Sequence, residues 1–271
     1  PAFSPPNPLI IGCGRMANAI VKGLGGEKAG FTAILVNDVD QNKALAFSRE
    51  YGIKTASYEE LLLNCSTIIL AVKPYQVREV LQAGRGLWHA GQLLISIAAG
   101  IKLASIEKAT GNQLAVVRVM PNTPCLVGQG IAAVAAGSRA ADQDVALVMS
   151  IFNCLGTAVR IDEKYMDAVT AVSGSGPAYV FLVVEAFMDA ALQIGLDSSL
   201  ARELVLQTMQ GSLQMMAQSG EHPAILRKDV SSPGGTTIAG IRQLEANGLR
   251  KAFFDAVEMA YNRSIELSND N

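Results

Sequence analysis

Residues 231–238 of the chain combine one proline, two glycines and four hydroxyl side chains in the order Ser-Ser-Pro-Gly-Gly-Thr-Thr-Ile. Proline ends the preceding element, the glycines free the backbone, and the threonines stand where a helical pattern begins. Such a turn presents several unpaired backbone N–H groups in one direction, which suits a small anion such as a carboxylate. The same residues are equally consistent with a tight connection between two helices that a threonine caps.

A second motif, near the N-terminus, is typical of nucleotide binding. The apolar run Leu9–Ile11 predicts a buried strand, and Gly12-Cys13-Gly14-Arg15-Met16-Ala17 leads from it into a helical pattern. This is the G-x-G-x-x-A fingerprint between a strand and a helix, as dinucleotide binding requires. Gly12 permits the tight turn, Gly14 lets a pyrophosphate approach the backbone, and Ala17 lets the helix pack closely on the strand. We predict a dinucleotide site here rather than a purely structural turn.

The next predicted strand ends at Asp38. An acidic side chain at this point usually binds the adenosine ribose hydroxyls of NAD and repels the 2′-phosphate of NADP. No Lys or Arg follows before Lys43, so the residues favour NADH, although Asn37 or a backbone amide could still accommodate the phosphate.

Three further segments follow predicted strands. The carboxyl ends of the strands in a doubly wound sheet face the ligand crevice, so we expect Ala71, Val72, Lys73 and Pro74 to touch the cofactor. Lys73 is equally consistent with a solvated charge at a strand end. Ala98 and Ala99 are small enough to let a ring approach the main chain, and the prolines of Met120–Pro124 stiffen a loop at the same edge.

The pattern of the chain changes near residue 163. Strands and helices alternate through residues 1–163, which predicts an α/β domain with a Rossmann-like doubly wound parallel sheet. Residues 164–271 carry only long amphipathic helical patterns, which predict an all-α domain. Apolar residues cover much of these helices, so they suit a subunit interface as well as a bundle core.

Composition limits the partners that the chain could have. Its 271 residues are 50% hydrophobic and 17% charged, with a net charge of −2 and no basic stripe, so nucleic acid is not expected. The four cysteines lack C-x-x-C spacing and the two histidines are too few for a His-based metal site, so we expect no metal and no disulfide framework. Because no uninterrupted apolar run reaches about 18 residues and no signal pattern is present, we expect a soluble, cytoplasmic protein without a membrane partner.

Several separated motifs coincide in this chain: GCGRMANA (12–19), AVKP (71–74), MPNTP (120–124), SGSGPAY (173–179) and SSPGGTTI (231–238). Together they closely resemble the pyrroline-5-carboxylate reductase family over nearly the whole chain, and the last motif is the most specific. The resemblance implies that NADPH or NADH delivers hydride to C5 of a cyclic imino acid, which gives L-proline in the last step of proline biosynthesis. It also implies a helical domain that interlocks with a second subunit, in dimers that often assemble further, commonly to decamers.

The resemblance also implies roles for individual residues. Gly12 to Ala17 would hold the pyrophosphate, Asp38 would lie near the adenosine ribose, and Asn122 would lie near the nicotinamide. Ala71 to Pro74, with Ala98 and Ala99, would line the cofactor cleft. Relatives that use NADPH tend to carry Ser, Thr or Asn near the position of Asp38, so we expect NADH to be used at least comparably well.

For the substrate, the resemblance points to the turn from Ser232 to Thr237. Backbone N–H groups of Gly234, Gly235 and Thr236 would fix the carboxylate, and the Thr237 hydroxyl would contact the ring nitrogen as the catalytic group. We expect the turn to be completed across a dimer interface. Glu163 matches a position associated with proline binding, although it could equally be an exposed charge at a helix start.

Two other functions compete with this interpretation. A β-hydroxyacid dehydrogenase would need a catalytic lysine on a helix of the second domain, and no lysine occurs between Lys164 and Lys228. A non-catalytic NAD(P)-sensing protein would keep the fingerprint but has no need of the Pro-Gly-Gly-Thr-Thr turn.

Overall fold

The computed structural model describes residues 8–25 and 34–270, without the side chain of residue 270. The chain divides into two compact units. The first unit comprises the described residues up to Ser175 and those from Ala260 onward, and the second is Gly176–Met259. The division therefore lies beyond the sequence-based boundary at residue 163, and the last turns of the chain return to the first unit.

The first unit contains one eight-stranded sheet whose strand order is 3-2-1-4-5-6-7-8. All neighbouring strands are parallel except the sixth and seventh, which are antiparallel. This arrangement confirms the Rossmann-like doubly wound sheet. The strands are β1 (Pro8–Ile11), β2 (Leu35–Asn37), β3 (Lys54–Thr55), β4 (Thr67–Leu70), β5 (Leu93–Ser96), β6 (Ala115–Pro121), β7 (Gly130–Ala136) and β8 (Gly156–Arg160).

Helices cover both faces of this sheet. Successive strand residues point to opposite faces, so Ile10 joins one hydrophobic cluster while Leu9 and Ile11 join the other. The sheet is thus buried on both sides, as parallel sheets usually are. The connecting helices are α1 (Arg15–Leu24), α2 (Gln41–Tyr51), α3 (Tyr58–Asn64), α4 (Pro74–Ala83), α5 (Leu103–Ala109) and α6 (Asp142–Asn153).

The helical segment after β8 is interrupted near Ser173–Pro177, where the glycines and proline predict a break: a π-helical turn ends at Gly174, Ser175 is a bend, and the next helix begins at Gly176. A 3₁₀ turn (Glu163–Tyr165) leads into α7 (Met166–Val169) and then into a π-helical turn (Thr170–Gly174). The Ser173 hydroxyl donates to the carbonyl of Val169 at 3.0 Å, which is the back-bonding that bends helices. A β-carbon on Gly174 would lie 2.7 Å from the Cε atom of Met120, so the turn packs closely on the end of β6.

The second unit is helical throughout and leaves much apolar surface exposed. Its buried hydrophobic residues are Ala191, Ala201 and Val205 alone, whereas Phe181 and Phe254 are 66% and 73% exposed. The helices are α8 (Gly176–Gln193), α9 (Ser198–Ser219), α10 (Pro223–Asp229), α11 (Thr236–Ala246) and α12 (Leu249–Asp270), the last of which extends into the first unit.

One helical stretch, Glu163–Gln193, is long and apolar enough to cross a membrane, by length and composition. Glu185 and Asp189 interrupt this stretch, so it contains no uninterrupted apolar run of about 18 residues. Its mean hydropathy nevertheless reaches 1.4. Only 6% of that window is buried within the chain. An apolar helix this exposed needs a covering surface.

Candidate functional site

The crevice of the sheet opens where Gly12 and Ala71 meet. Gly12 follows β1 and Ala71 follows β4, and the strand order reverses direction between these two neighbours. Gly12 has φ +100°, and a β-carbon there would lie 2.7 Å from the carbonyl oxygen of Ala71. Ligands of doubly wound sheets bind at such a switch point, and only glycine fits this corner.

The N-terminus of α1 offers backbone donors beside that corner. Gly14 is the N-cap residue, and no side chain caps the helix. A β-carbon on Gly14 would meet nothing within 4 Å, so open space lies in front of these donors. Ala17 in the first turn is fully buried, which lets the helix pack closely. The segment Gly12–Ala17, which includes Cys13, Arg15 and Met16, therefore combines uncapped backbone donors with open space, as a pyrophosphate site requires.

Asp38 holds the glycine-rich turn from the end of β2. Its Oδ2 oxygen accepts a hydrogen bond from the Cys13 N–H at 2.7 Å, and its Oδ1 accepts one from the Asp40 N–H at 3.0 Å. Burial raises the pKa of Asp38, but these hydrogen bonds and the charge of Lys43 outweigh that effect, so the pKa lies below its usual value. Asp38 is therefore ionised at neutral pH. The neighbouring Asp40 caps α2, as one interpretation of the sequence allowed.

Lys43 belongs to this part of the crevice, although the sequence marked it only as the first cation after Asp38. Its Nζ lies 3.3 Å from the Asp38 Oδ2, and its side chain is half exposed. The sequence pattern could have indicated this contact. A helix that begins after Asp40 places Lys43 in its first turn, from which the side chain reaches back to Asp38 at the strand end.

The other predicted cofactor-lining segments follow neighbouring strands at the same edge. The Ala71 N–H donates to the Ile11 carbonyl at 2.8 Å, which places Ala71 and Val72 beside Gly12. Lys73 is exposed and precedes α4, whose first residue is Pro74. After β5, Ala98 is buried and Ala99 is half-buried.

Asn122 lies at the end of β6, where the antiparallel pair begins. It precedes a 3₁₀ turn over Thr123–Val127, and its side-chain oxygen accepts a hydrogen bond from the Ile131 N–H at 3.0 Å. The prolines predict a stiff loop. The hydrogen bond between Asn122 and Ile131 restrains the loop further, because it fixes the Asn122 side chain to β7. Its contact with the nicotinamide stays a prediction.

Glu163 is the predicted substrate residue whose surroundings differ most from expectation. Its Oε1 oxygen accepts hydrogen bonds from the Leu103 N–H at 2.7 Å and from the Arg118 guanidinium at 3.0 Å. The Arg118 side chain is only 4% exposed and that of Glu163 is 30% exposed. Glu163 is thus an ion-pair partner that also caps α5, and not the free helix-start charge that the sequence left open. The sequence feature that could have indicated this ion pair is Arg118, a charged residue inside an otherwise apolar strand.

The predicted substrate turn connects α10 to α11. Gly235 is the N-cap residue of α11 and offers no side-chain cap, so the alternative of a threonine cap is wrong. Thr236 and Thr237 lie inside the first helical turn, and both are exposed. Neither hydroxyl makes a hydrogen bond within the described chain, which leaves both free for a ligand.

The backbone donors of this turn differ in one respect from expectation. Gly234 has φ +70°, a left-handed conformation that favours glycine. The Gly235 N–H donates to the Ser232 carbonyl at 3.1 Å, so it is already used inside the turn. The donors left for an anion are those of the first turn of α11, beginning at Thr236.

Two family models match the chain. One, described as pyrroline-5-carboxylate reductase dimerisation, matches residues 163–267. The other, described as NADP oxidoreductase coenzyme F420-dependent, matches residues 9–100. The two matches fall on the helical and the nucleotide-binding parts of the chain, respectively.

Individual relatives match nearly from end to end. The pyrroline-5-carboxylate reductase of Pisum sativum is 38% identical over 260 residues, which cover 96% of this chain and 95% of the relative. The structure of a pyrroline-5-carboxylate reductase from Coxiella burnetii superposes with a TM-score of 0.89 at 35% identity, covering 97% of this chain and 98% of that one. Plasmodium falciparum pyrroline carboxylate reductase with NADP bound superposes with a TM-score of 0.85 at 33% identity, covering 98% and 100% of the two chains.

Proposed function

The chain belongs to the pyrroline-5-carboxylate reductase family, and from this premise we propose the roles of its residues in the family's reaction. The enzyme is an NAD(P)H-dependent oxidoreductase of proline biosynthesis that reduces the C=N bond of L-1-pyrroline-5-carboxylate to give L-proline. The observation that supports our assignment of the substrate site is the uncapped start of α11 beside two unpaired threonine hydroxyls. Bound NAD(P)H supplies the hydride.

The first unit holds the cofactor. Backbone N–H groups at the start of α1 bind the pyrophosphate in the open space before Gly14. Asp38 and Lys43 lie toward the adenosine ribose, and the residues after β4 and β5 line the remaining cleft. Asn122, fixed by its bond to Ile131, lies toward the nicotinamide.

The turn before α11 holds the substrate. The N–H groups of Thr236 and its successors bind the carboxylate, which the positive end of the helix dipole also favours. The Thr237 hydroxyl contacts the ring nitrogen and orients C5 toward the hydride donor. Because a protonated imine is already electrophilic, positioning accounts for most of the catalysis, and no titratable side chain is needed at the carbon that reacts.

Glu163 has a less direct part in this scheme. The resemblance assigns it to substrate binding, while its bonds to Leu103 and Arg118 give it a positioning role at the start of α5.

The protein self-associates through its helical part. A second copy that covers α8 explains why so much of that apolar helix is exposed in a single chain. We propose a homodimer, with further assembly to a decamer as in the family, in the cytoplasm and without a membrane or nucleic-acid partner.

The experiment that tests the function measures oxidation of NADH and of NADPH with pyrroline-5-carboxylate, beside a panel of β-hydroxyacids and without substrate. We expect turnover only with the imino acid. Turnover with a β-hydroxyacid alone would identify the competing dehydrogenase, and cofactor binding without turnover would identify a sensing protein.

A further inference from the structure

A groove of about 1020 Å³ lies on the first unit between α4 and α5. Both helices begin at the edge of the sheet where the strands end, so the groove starts there, beside Pro74 and Ile101. It continues to the turns after the two helices, where Gly86 and Gly111 line it. Apart from Pro74 at its end, it contains none of the residues assigned to cofactor or substrate.

The groove has an apolar floor. Val77 and Leu81 of α4, with Trp88 and Ile101, line it, and each of these side chains is at most 6% exposed. The Trp88 indole N–H donates to the Leu81 carbonyl at 3.1 Å, so the ring is fixed in its place. A flat apolar body could therefore lie on this floor without displacing polar groups.

The rim of the groove is positively charged. Arg78 and Arg85 stand on one side and Lys108 on the other, and all three are exposed. None of the three side chains makes an ion pair or hydrogen bond within the described residues. No Asp or Glu belongs to the described lining, although the whole chain has a net charge of −2. Three cations without a counter-charge around one cavity create a local field that attracts a polyanion.

We propose that this groove binds a nucleoside triphosphate, at a site distinct from the dinucleotide crevice. Arg78 lies in α4 and Arg85 in the turn that follows it, and by the helical rise they are on the order of 10 Å apart, so a ligand that meets both must be extended. The phosphates bind Arg85, which follows α4, and Lys108 of α5, both of which line the groove. The base lies on the apolar floor toward Tyr75, whose ring is 79% exposed and free to stack.

Because of the position of the groove, a ligand bound there should affect the binding of the cofactor. Its end at the edge of the sheet is formed by Pro74, which belongs to the segment proposed to line the cofactor cleft, and by Ile101, which lies two positions after Ala99. A nucleotide bound there restrains the first turn of α4. We therefore expect it to change the KM for NAD(P)H more than the maximal turnover, and this part of the inference rests on the proposed function.

The binding test uses a built-in probe and needs no enzyme activity. Trp88 is the only tryptophan of the chain, so its fluorescence reports on the groove alone. The full-length protein, saturated with NADP⁺ to block the dinucleotide crevice, is titrated with ATP, adenosine and inorganic triphosphate. We expect a saturable change with ATP, a weaker one with triphosphate, and none with adenosine at the same concentrations.

Substitutions at the charged rim test whether the change in Trp88 fluorescence comes from ATP bound in the groove. Arg85→Gln combined with Lys108→Gln should weaken ATP binding at least about tenfold, because two charge contacts are lost. Arg49→Gln, which removes an exposed charge from α2, should leave it unchanged. A response that NADP⁺ abolishes, equal affinity for ATP in the double variant, or no saturable response to ATP would each overturn the proposal.

Discussion

The Oδ2 oxygen of Asp38 accepts a hydrogen bond from the backbone N–H of Cys13 at 2.7 Å, so the carboxylate that directly follows β2 holds the glycine-rich turn after β1. Lys43 lies 3.3 Å from the same oxygen. The residue that we propose to favour NAD over NADP thus also stabilises the turn, and its charge is partly balanced by Lys43 of α2. We therefore expect cofactor preference and local stability to depend on the same group.

The first prediction concerns cofactor preference. Asp38 repels a 2′-phosphate and Lys43 attracts it, so we expect NADH to be used at least comparably well. Asp38→Asn should raise the ratio of kcat/KM for NADPH to that for NADH about tenfold, and Lys43→Gln should lower it several-fold. Steady-state kinetics with both cofactors measure these ratios. A hundredfold preference of the unaltered enzyme for NADPH would contradict the prediction.

The second prediction concerns pH. The pKa of Asp38 is lower in the folded protein than its ordinary value of about 3.9, so its ionised form stabilises the fold at neutral pH. That stabilisation is present above the ordinary pKa and is lost as the pH falls through the lower, folded value. Asp38→Asn should cost about 1–3 kcal/mol in the free energy of unfolding at pH 7. Urea unfolding should show this difference shrinking below about pH 4, and a constant difference down to pH 2 would contradict it.

The third prediction separates two glycines that stand two positions apart. Gly12→Ala should destabilise the protein by about 2–4 kcal/mol, because the residue has φ +100° and its β-carbon would lie 2.7 Å from the Ala71 carbonyl oxygen. Gly14→Ala should leave the melting temperature unchanged, because its β-carbon meets nothing within 4 Å. It should instead weaken NADH binding at least about tenfold, since the methyl group occupies the space of the pyrophosphate. Calorimetry and cofactor titration of both variants check the pair, and equal cofactor affinity in Gly14→Ala would remove the pyrophosphate from this turn.

Much of this fold could be predicted because its signals are local. Apolar runs of strand length and the glycine fingerprint depend on neighbouring residues, and the strand predicted at Leu9–Ile11 is present as β1. The glycines and proline of Ser173–Pro177 favour a break in the helix, and the structure has one at Ser175, between a π-helical turn and α8. The π-helical form of that turn did not follow from the local pattern, because Gly174 packs on Met120, a residue distant in sequence whose position only the folded chain defines.

The candidate site shows the same limit. The position of Asp38 at a strand end suggested its chemistry and the family resemblance suggested that of Thr237, whereas the partners of Glu163 did not follow from the sequence. Arg118 lies 45 positions away along the chain and Leu103 lies 60 positions away, and the sheet brings all three together. Long-range ion pairs of this kind become visible only when the strand order is known.

The fourth prediction tests the role of Glu163. Glu163→Gln keeps a hydrogen-bond acceptor but leaves the buried Arg118 without its counter-charge, so the free energy of unfolding should fall by about 1–3 kcal/mol. Glu107→Gln is the matched control, because Glu107 accepts bonds from Ser138 and has no cationic partner among the described residues. If Glu163 only positions α5, the KM for pyrroline-5-carboxylate stays within about threefold after correction for unfolded protein. A rise of tenfold or more, without loss of stability, would instead support direct binding of the substrate.

The fifth prediction concerns the turn before α11. Thr237→Ala should reduce kcat about 10–1000-fold, because it removes the positioned hydroxyl that contacts the imine nitrogen. Thr237→Ser keeps that hydroxyl and should recover most of the turnover. Thr236→Ala is the matched control: it keeps the backbone N–H that binds the carboxylate, so both kcat and KM should change little. Since both threonines are exposed and make no hydrogen bond within the described chain, neither substitution should disturb folding. A folded Thr237→Ala enzyme with full turnover would show that the backbone donors alone hold the substrate, and hydride transfer would then depend on positioning without a side-chain partner.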